Sequence, residues 1–245
     1  MAGHSHWAKI KRAKGANDAK RGKIWSKIAR KIIIAARGGG GDPRDNLNLR
    51  YVIEEARAAN MPRDTIEKAV AKGTGELGGE NYEACTYEGY APGGVAIMID
   101  VLTNNRARTP PELRTIFEKH GGTLSASGSV AFQFNKRGIV TISCEGVNEE
   151  KLMDLALAAG AEDVVAEGEV FEITTLPNQL HRVKDALAAA KLTIEAAEIT
   201  YIPLSTVPLD AEKSRNLLKL IEALEDNDDV QSASHNAQTP QDVTV

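Results

Sequence analysis

Between Gly73 and Asn81 the chain reads Gly-Thr-Gly-Glu-Leu-Gly-Gly-Glu-Asn, and the hydrophobic period differs on the two sides of this segment. A polar, glycine-rich stretch cannot supply a packed face, so it separates parts that must build their own cores. Before it, apolar residues recur at three-to-four spacing. After it, they alternate or gather in short β-branched runs. The 245 residues suit two or three domains better than one.

On the amino-terminal side, Asn17 or Asp18 can cap a helix running to about Arg37, which Gly38–Gly41 ends. Ile24, Trp25, Ile28, Ile32 and Ala36 fall on one side of it. Lys20, Lys23, Lys27, Arg30, Lys31 and Arg37 fall on the other, and Arg21 breaks the pattern. A second helix is expected from Asn46 to Asn60, with Leu49, Val52, Ile53 and Ala56 inward. A third starts with Pro62 at its first position, buries Ile66, Ala69 and Val70, and stops near Gly73. Residues 4–16 show no sustained apolar period and read as an extended basic arm.

Beyond the linker, Tyr82–Gly89 and Val95–Leu102 flank the turn Tyr90-Ala91-Pro92-Gly93-Gly94 and predict a hairpin. Thr109 before Pro110-Pro111 is a helix start, with the helix running to His120, and Ser129–Phe134 reads as a third strand. From Gly138 the order is strand–helix–strand–strand–helix–strand: Ile139–Cys144, Glu149–Ala159, Asp163–Ala166, Val170–Thr174, Leu176–Ala190 and Thr193–Tyr201. That is the split βαβ order of a ferredoxin-like sheet. Asp210 then opens a helix to about Glu225, and Val230–His235 is a last strand. These pieces follow a complete six-element unit, so they are expected to fold back onto residues 82–134. The predicted class is therefore α+β multidomain: an N-terminal three-helix domain (1–79), a discontinuous α/β domain (80–135 and 204–245), and an inserted ferredoxin-like βαββαβ domain (136–203).

Charge is as unevenly placed as hydrophobicity. The first 37 residues hold eleven Lys/Arg and one acid, Asp18, a local charge of +10 on a chain of −4. The other 208 residues carry 19 basic and 33 acidic groups, net −14. Such a field draws a polyanion to one end. Like charges three or four apart cost a helix a few tenths of a kcal/mol per pair, a repulsion that phosphates would relieve. A solvated face is the plain alternative. Docking on an anionic membrane is a weaker reading, because the second and third helices need the Ile24/Ile28/Ile32 stripe for themselves.

Other motifs are read beside their structural roles. His4 and His6 could ligate a metal, but no local Cys or carboxylate joins them, so no metal is expected. Trp7 either stacks on a base or pins the arm to the protein. In Asn104-Asn105-Arg106-Ala107-Arg108-Thr109, Asn-Asn makes a turn and Thr109 caps the next helix, yet Arg106 and Arg108 beside exposed helix amides would also bind phosphate. Gly38–Gly41 lacks the Gly-Lys-Ser/Thr ending of a phosphate loop. The acidic run Glu225-Asp226-Asn227-Asp228-Asp229 lacks the glycine and closing glutamate of a calcium loop and reads as a solvated helix end. Cys85 and Cys144 read as small buried hydrophobes in a reducing compartment. No spacing nominates a catalytic group, His120, His181 and His235 being isolated, and no cofactor is expected. No apolar run approaches the roughly 20 residues that span a bilayer, and the expected location is cytoplasmic.

Four segments together resemble the YebC/PmpR family: Ala2-Gly3-His4-Ser5-His6-Trp7 followed by Lys9-Ile10-Lys11, then Asn105–Thr109, Gly128-Ser129-Val130-Ala131-Phe132, and Leu224-Glu225-Asp226-Asn227-Asp228-Asp229-Val230-Gln231. The family usually has Gly-His-Ser-Lys-Trp at the start, so His6 departs, and Ser232-Ala233-Ser234-His235 replaces an aromatic-containing strand. The resemblance implies a three-domain α/β protein without enzymatic activity. Its members are described as DNA-binding transcriptional regulators, with mitochondrial relatives that activate translation and bacterial ones linked to the ribosome. The match from residue 2 argues against a cleaved transit segment.

The expectation is a non-enzymatic, nucleic-acid-binding regulator of gene expression. Its contacts would be Trp7, Lys9, Lys11, Arg12, Lys14, Lys20, Lys23, Lys27, Arg30 and Lys31, with Arg106 and Arg108 as a second patch. DNA and ribosomal RNA remain alternatives, because cations on phosphates carry no sequence information. A protein partner could also be recruited through the acidic C-terminal domains, and a protein-interaction adaptor is the competing class.

Overall fold

The computed structural model describes residues 18–78 and 81–240. Helix α1 spans Asp18–Gly39, α2 Leu47–Ala58 and α3 Arg63–Thr74. Ile28, Ile32, Ile33 and Ala36 of α1 pack with Leu49, Ile53 and Ala56 of α2 and with Ile66 and Ala69 of α3. Trp25 adds a polar tie, donating its indole N–H to the Ala59 carbonyl at 3.0 Å. Ile24, expected inside, is 39% exposed. At 1.5 Å per residue α1 is about 33 Å long and its partners about 18 Å each, so neither spans its full length.

Two local devices fix this bundle. Gly40 ends α1 at φ 86°, and the buried Asn46 bridges the turn. Its side chain accepts from Leu49 N at 3.1 Å, capping α2, while its Nδ2 donates to Ala35 and Gly40 carbonyls at 2.7 and 2.8 Å. At Gly73, a Cβ would stand 2.6 Å from the Ile33 carbonyl oxygen, so α1 and α3 touch backbone to backbone there.

The next sheet has the order β3-β1-β2-β9, all antiparallel, with β1 Glu83–Ala91, β2 Val95–Thr103, β3 Thr123–Ser125 and β9 Val230–His235. Helices α4 (Thr109–Lys119) and α7 (Ala211–Glu225) cover one face, where Ile97, Ile99, Phe117, Leu217, Leu220 and Val230 form the core. The carboxy-terminal strand pairs with β2, Ala233 opposite Ile99. Without an aromatic it still pairs, because Ala233 is buried and the Ser234 hydroxyl meets Thr200 Oγ1 at 3.1 Å.

Ser129–Phe134 does not form the expected third strand. Ala131–Gln133 is a 3₁₀ turn, and Phe134 opens β4. The reason is Glu88, 4% exposed, whose carboxylate accepts the backbone N–H groups of Gly128 and Val130 at 2.6 Å each and of Ala131 at 2.9 Å. Amides spent on a carboxylate cannot join a ladder.

The last sheet has the order β5-β6-β4-β7, with β4 Phe134–Ser143, β5 Ala161–Glu167, β6 Val170–Thr175 and β7 Ile194–Pro203. Helices α5 (Glu149–Ala159) and α6 (Leu180–Ala189) lie on one face, giving the ferredoxin-like βαββαβ unit. Helix α6 begins later than Leu176, because the Leu176 carbonyl closes a turn on Gln179 N instead. A parallel pair, β8 (Val207–Pro208) with β10 (Ala237–Gln238), ties the returning chain to its end. The protein is thus α+β, a helical unit followed by two sheet-containing units. Helix α2 also touches α6, where the Tyr51 and His181 rings stack at 3.5 Å and the Tyr51 hydroxyl donates to Asp185 at 2.9 Å.

Candidate nucleic-acid interface

The expected contacts of the basic arm, Trp7, Lys9, Lys11, Arg12 and Lys14, lie outside the described residues, as do His4 and His6 and the side chain of Lys20. The rest can be placed, and each meets a group of the chain itself. Lys23 Nζ pairs with Asp226 at 2.9 Å, and Lys27 Nζ donates to the Glu225 carbonyl at 2.7 Å. That carbonyl belongs to the last turn of α7, where the helix dipole favours a cation. Arg30 Nη1 stands 3.2 Å from Asp229 Oδ1. Lys31 pairs with Glu55 of α2 at 2.8 Å in an exposed position. Much of the cationic side of α1 therefore rests on the acidic run.

The acidic run is not the solvated helix end that its composition suggests. Asp229 is 1% exposed and meets several polar partners. Arg108 Nη2 donates to both its oxygens at 2.9 and 2.8 Å, and the Thr103 and Thr109 hydroxyls donate to Oδ2 at 2.9 and 2.8 Å. Asn227 Oδ1 receives the Asp229 N–H at 2.9 Å, while Asn227 Nδ2 reaches Glu112 at 2.9 Å. Burial works against ionisation here, but the bonds from Arg108, Thr109 and Thr103 outweigh it and hold the Asp229 carboxyl below its ordinary range. The same contact raises the pKa of Arg108.

The loop between β2 and α4 follows local chemistry in part. Asn105 Oδ1 accepts from Ala107 N and Arg108 N at 3.1 Å each, the expected turn. Thr109 does not cap the helix. The cap position is Arg108, without a side-chain bond, and the Thr109 hydroxyl turns to Asp229 because a buried carboxylate is the stronger acceptor. Arg106 and Arg108 part company as well. Arg108 spends two bonds on Asp229, whereas Arg106 is exposed and pairs loosely with Glu83 at 3.5 Å. A pair of that kind is worth about 0–1 kcal/mol and yields readily to phosphate.

Sequence reasoning missed Asp229 because it stands among acids that do face water, and missed Glu88 because it is one of two acids in an alternating strand. Only the position of each shows its role. Burial again opposes the Glu88 charge, yet the three amides of Val130, Gly128 and Ala131 hold its pKa low. Cys85 and Cys144 are free and half-buried instead of fully buried. Among the described residues there is no group of three or more His, Cys, Asp or Glu side chains placed to hold a metal, and no helix long and apolar enough to cross a membrane.

A small helical bundle docked by its basic side on a split antiparallel sheet, beside a ferredoxin-like unit, defines the architectural class. The chain belongs to the TACO1/YebC family: the family model described as the TACO1/YebC protein N-terminal domain matches residues 5–76, and that of the TACO1/YebC second and third domain matches residues 82–237. A relative from Treponema denticola is 50% identical over 241 residues, covering 98% of each chain, and one from Rubrobacter xylanophilus is 49% identical over 245 residues, covering 99% of this chain and 98% of its own. Both carry the name "probable transcriptional regulatory protein". The crystal structure of a conserved hypothetical protein from Aquifex aeolicus superposes with a TM-score of 0.82 at 48% identity, covering 91% of this chain and 92% of the other.

Proposed function

We propose that the protein is a non-enzymatic, cytoplasmic regulator of gene expression that binds nucleic acid through its amino-terminal cations. The observation that carries this reading is the charge of +10 within the first 37 residues of an otherwise acidic chain. The relatives' name, transcriptional regulatory protein, points the same way. In this reading the arm residues Lys9, Lys11, Arg12 and Lys14, with Lys20 and Arg106, neutralise backbone phosphates, and Trp7 stacks on a base or anchors the arm. The division into 1–79, 80–135 with 204–245, and 136–203 belongs to the same proposal, the two acidic parts shaping the molecule and offering a surface to a protein partner.

One geometric fact favours keeping ribosomal RNA beside promoter DNA as the target. Lys23, Lys27 and Arg30 turn toward Asp226, Glu225 and Asp229, so α1 is poorly placed to enter a major groove with its basic side. Contact confined to phosphates is indifferent to sequence and sugar. Crosslinking in cells with sequencing of bound DNA and RNA separates the two. Enrichment at promoters supports the transcriptional reading, and enrichment of ribosomal RNA replaces it with translational regulation. Recovery of neither leaves the adaptor class in its place.

A further inference from the structure

Helices α1 and α3 run side by side, and between them lies a cleft of about 300 Å³. Ser26 and Arg30 of α1 line one wall, Thr65, Lys68 and Lys72 of α3 the other, and Tyr82 of the following segment closes it. The spacings i, i+4 on one helix and i, i+3, i+7 on the other keep these groups on facing stripes. The backbone contact at Gly73 sets the separation of the two helices, so the walls are held apart at a fixed distance.

We infer that this cleft binds the phosphate of a nucleotide, carried in a nucleic-acid chain or free in solution. In the first case it rests on the nucleic-acid reading above and names where one phosphate sits. Among the described residues the lining holds the cations Arg30, Lys68 and Lys72 and the hydroxyls of Ser26, Thr65 and Tyr82 with no carboxylate, an oxyanion's complement. Glu67 of α3 is directed elsewhere, holding Arg63 at 2.7 Å. Arg30 is fixed at the wall by the 3.2 Å ion pair of its Nη1 with Asp229, a pair outside hydrogen-bond geometry. Its guanidinium also lies over the Tyr82 ring, 5.4 Å from the ring centre, so the aromatic group helps hold the cation at the end of the cleft. The volume is at the lower end of ligand pockets and suits a phosphate with one base.

The test uses Lys68→Glu and Lys68→Gln in the full chain, Lys68 being exposed at the rim and outside the core. Adenosine 5′-monophosphate is titrated by nuclear magnetic resonance, with adenosine as the uncharged control, while duplex DNA and single-stranded RNA are titrated against salt. For a free nucleotide, the Ser26 and Thr65 amides shift saturably with the monophosphate and not with adenosine, and Lys68→Glu weakens this about tenfold. For a chain phosphate, Lys68→Glu reduces the log–log salt slope by about one. Either result supports the cleft and identifies the source. If the monophosphate leaves those amides unmoved and both variants keep the wild-type slope, the cleft is overturned, while polymer binding by wild type leaves the functional reading standing. If wild type binds no polymer but the monophosphate fills the cleft, only the functional reading fails.

Discussion

Arg30 Nη1 of the first helix stands 3.2 Å from Asp229 Oδ1, near the far end of the chain, and Arg108 grips the same carboxylate from a third element. One buried acid thus fastens the helical unit to the sheet that the returning chain completes. Two guanidinium groups and two hydroxyls satisfy it, which is the condition under which a buried charge is tolerated.

Removing that acid should therefore do more than remove a contact. Asp229→Ala leaves Arg30 and Arg108 facing each other without compensation and is expected to cost about 3–5 kcal/mol in urea unfolding. Because the Asp229 pKa is lowered on folding, its contribution is present above its ordinary value of 3.8 and is lost as pH falls through the folded value. Wild type should lose stability faster than Asp229→Asn as pH drops below about 4. Parallel curves would show that the carboxylate contributes no charge-dependent stability.

The stack of Tyr51 on His181 gives a second pH dependence in a different window. Burial, then Lys184, pushes the imidazole pKa below its ordinary 6.5. The unfolded chain then binds more protons between the folded value and 6.5, so stability falls as pH drops through that range. His181→Phe keeps a flat ring in the stack and cannot titrate. Between pH 7 and 5.5 its urea midpoint should move less than that of wild type, and an equal movement would refute the assignment.

Glu88 is expected to be the organiser of the 126–133 loop. Glu88→Gln loses the charge on three amide bonds and places an N–H donor among N–H groups, at an expected cost of about 1–3 kcal/mol. Amide exchange at Gly128, Val130 and Ala131 should accelerate well before global unfolding. Exchange unchanged at all three would mean that the loop holds itself.

Much of the architecture is readable from residues alone because it depends on local pattern. The Glu149–Ala159 helix and the Val230–His235 strand follow from periodicity, and the last helix follows from Asp210 as its opening residue, Asp210 Oδ1 accepting from Lys213 N at 2.8 Å. The departures have a common physical origin. Thr109, Ser129–Phe134 and the acidic run all yield to partners distant in sequence: Asp229 takes the Thr109 hydroxyl, Glu88 takes the loop amides, and Lys23, Lys27 and Arg30 meet the run itself. Charge patterning along a chain shows which groups seek an opposite sign. It does not show whether that sign comes from a ligand or from the other end of the same molecule. Arg106 and Arg108, two residues apart, take different partners for this reason.

The central claim is that arm cations meet phosphates, and it is tested most directly by fluorescence anisotropy of labelled duplex DNA and single-stranded RNA across a salt series. Wild type should weaken along a straight log–log line with a slope of several units, about −0.9 per phosphate contact on B-DNA and −0.7 on single strands. A variant with Lys9, Lys11, Arg12 and Lys14 changed to Glu, folded by circular dichroism, should lose binding to both. Unchanged affinity and slope in that variant would contradict the account.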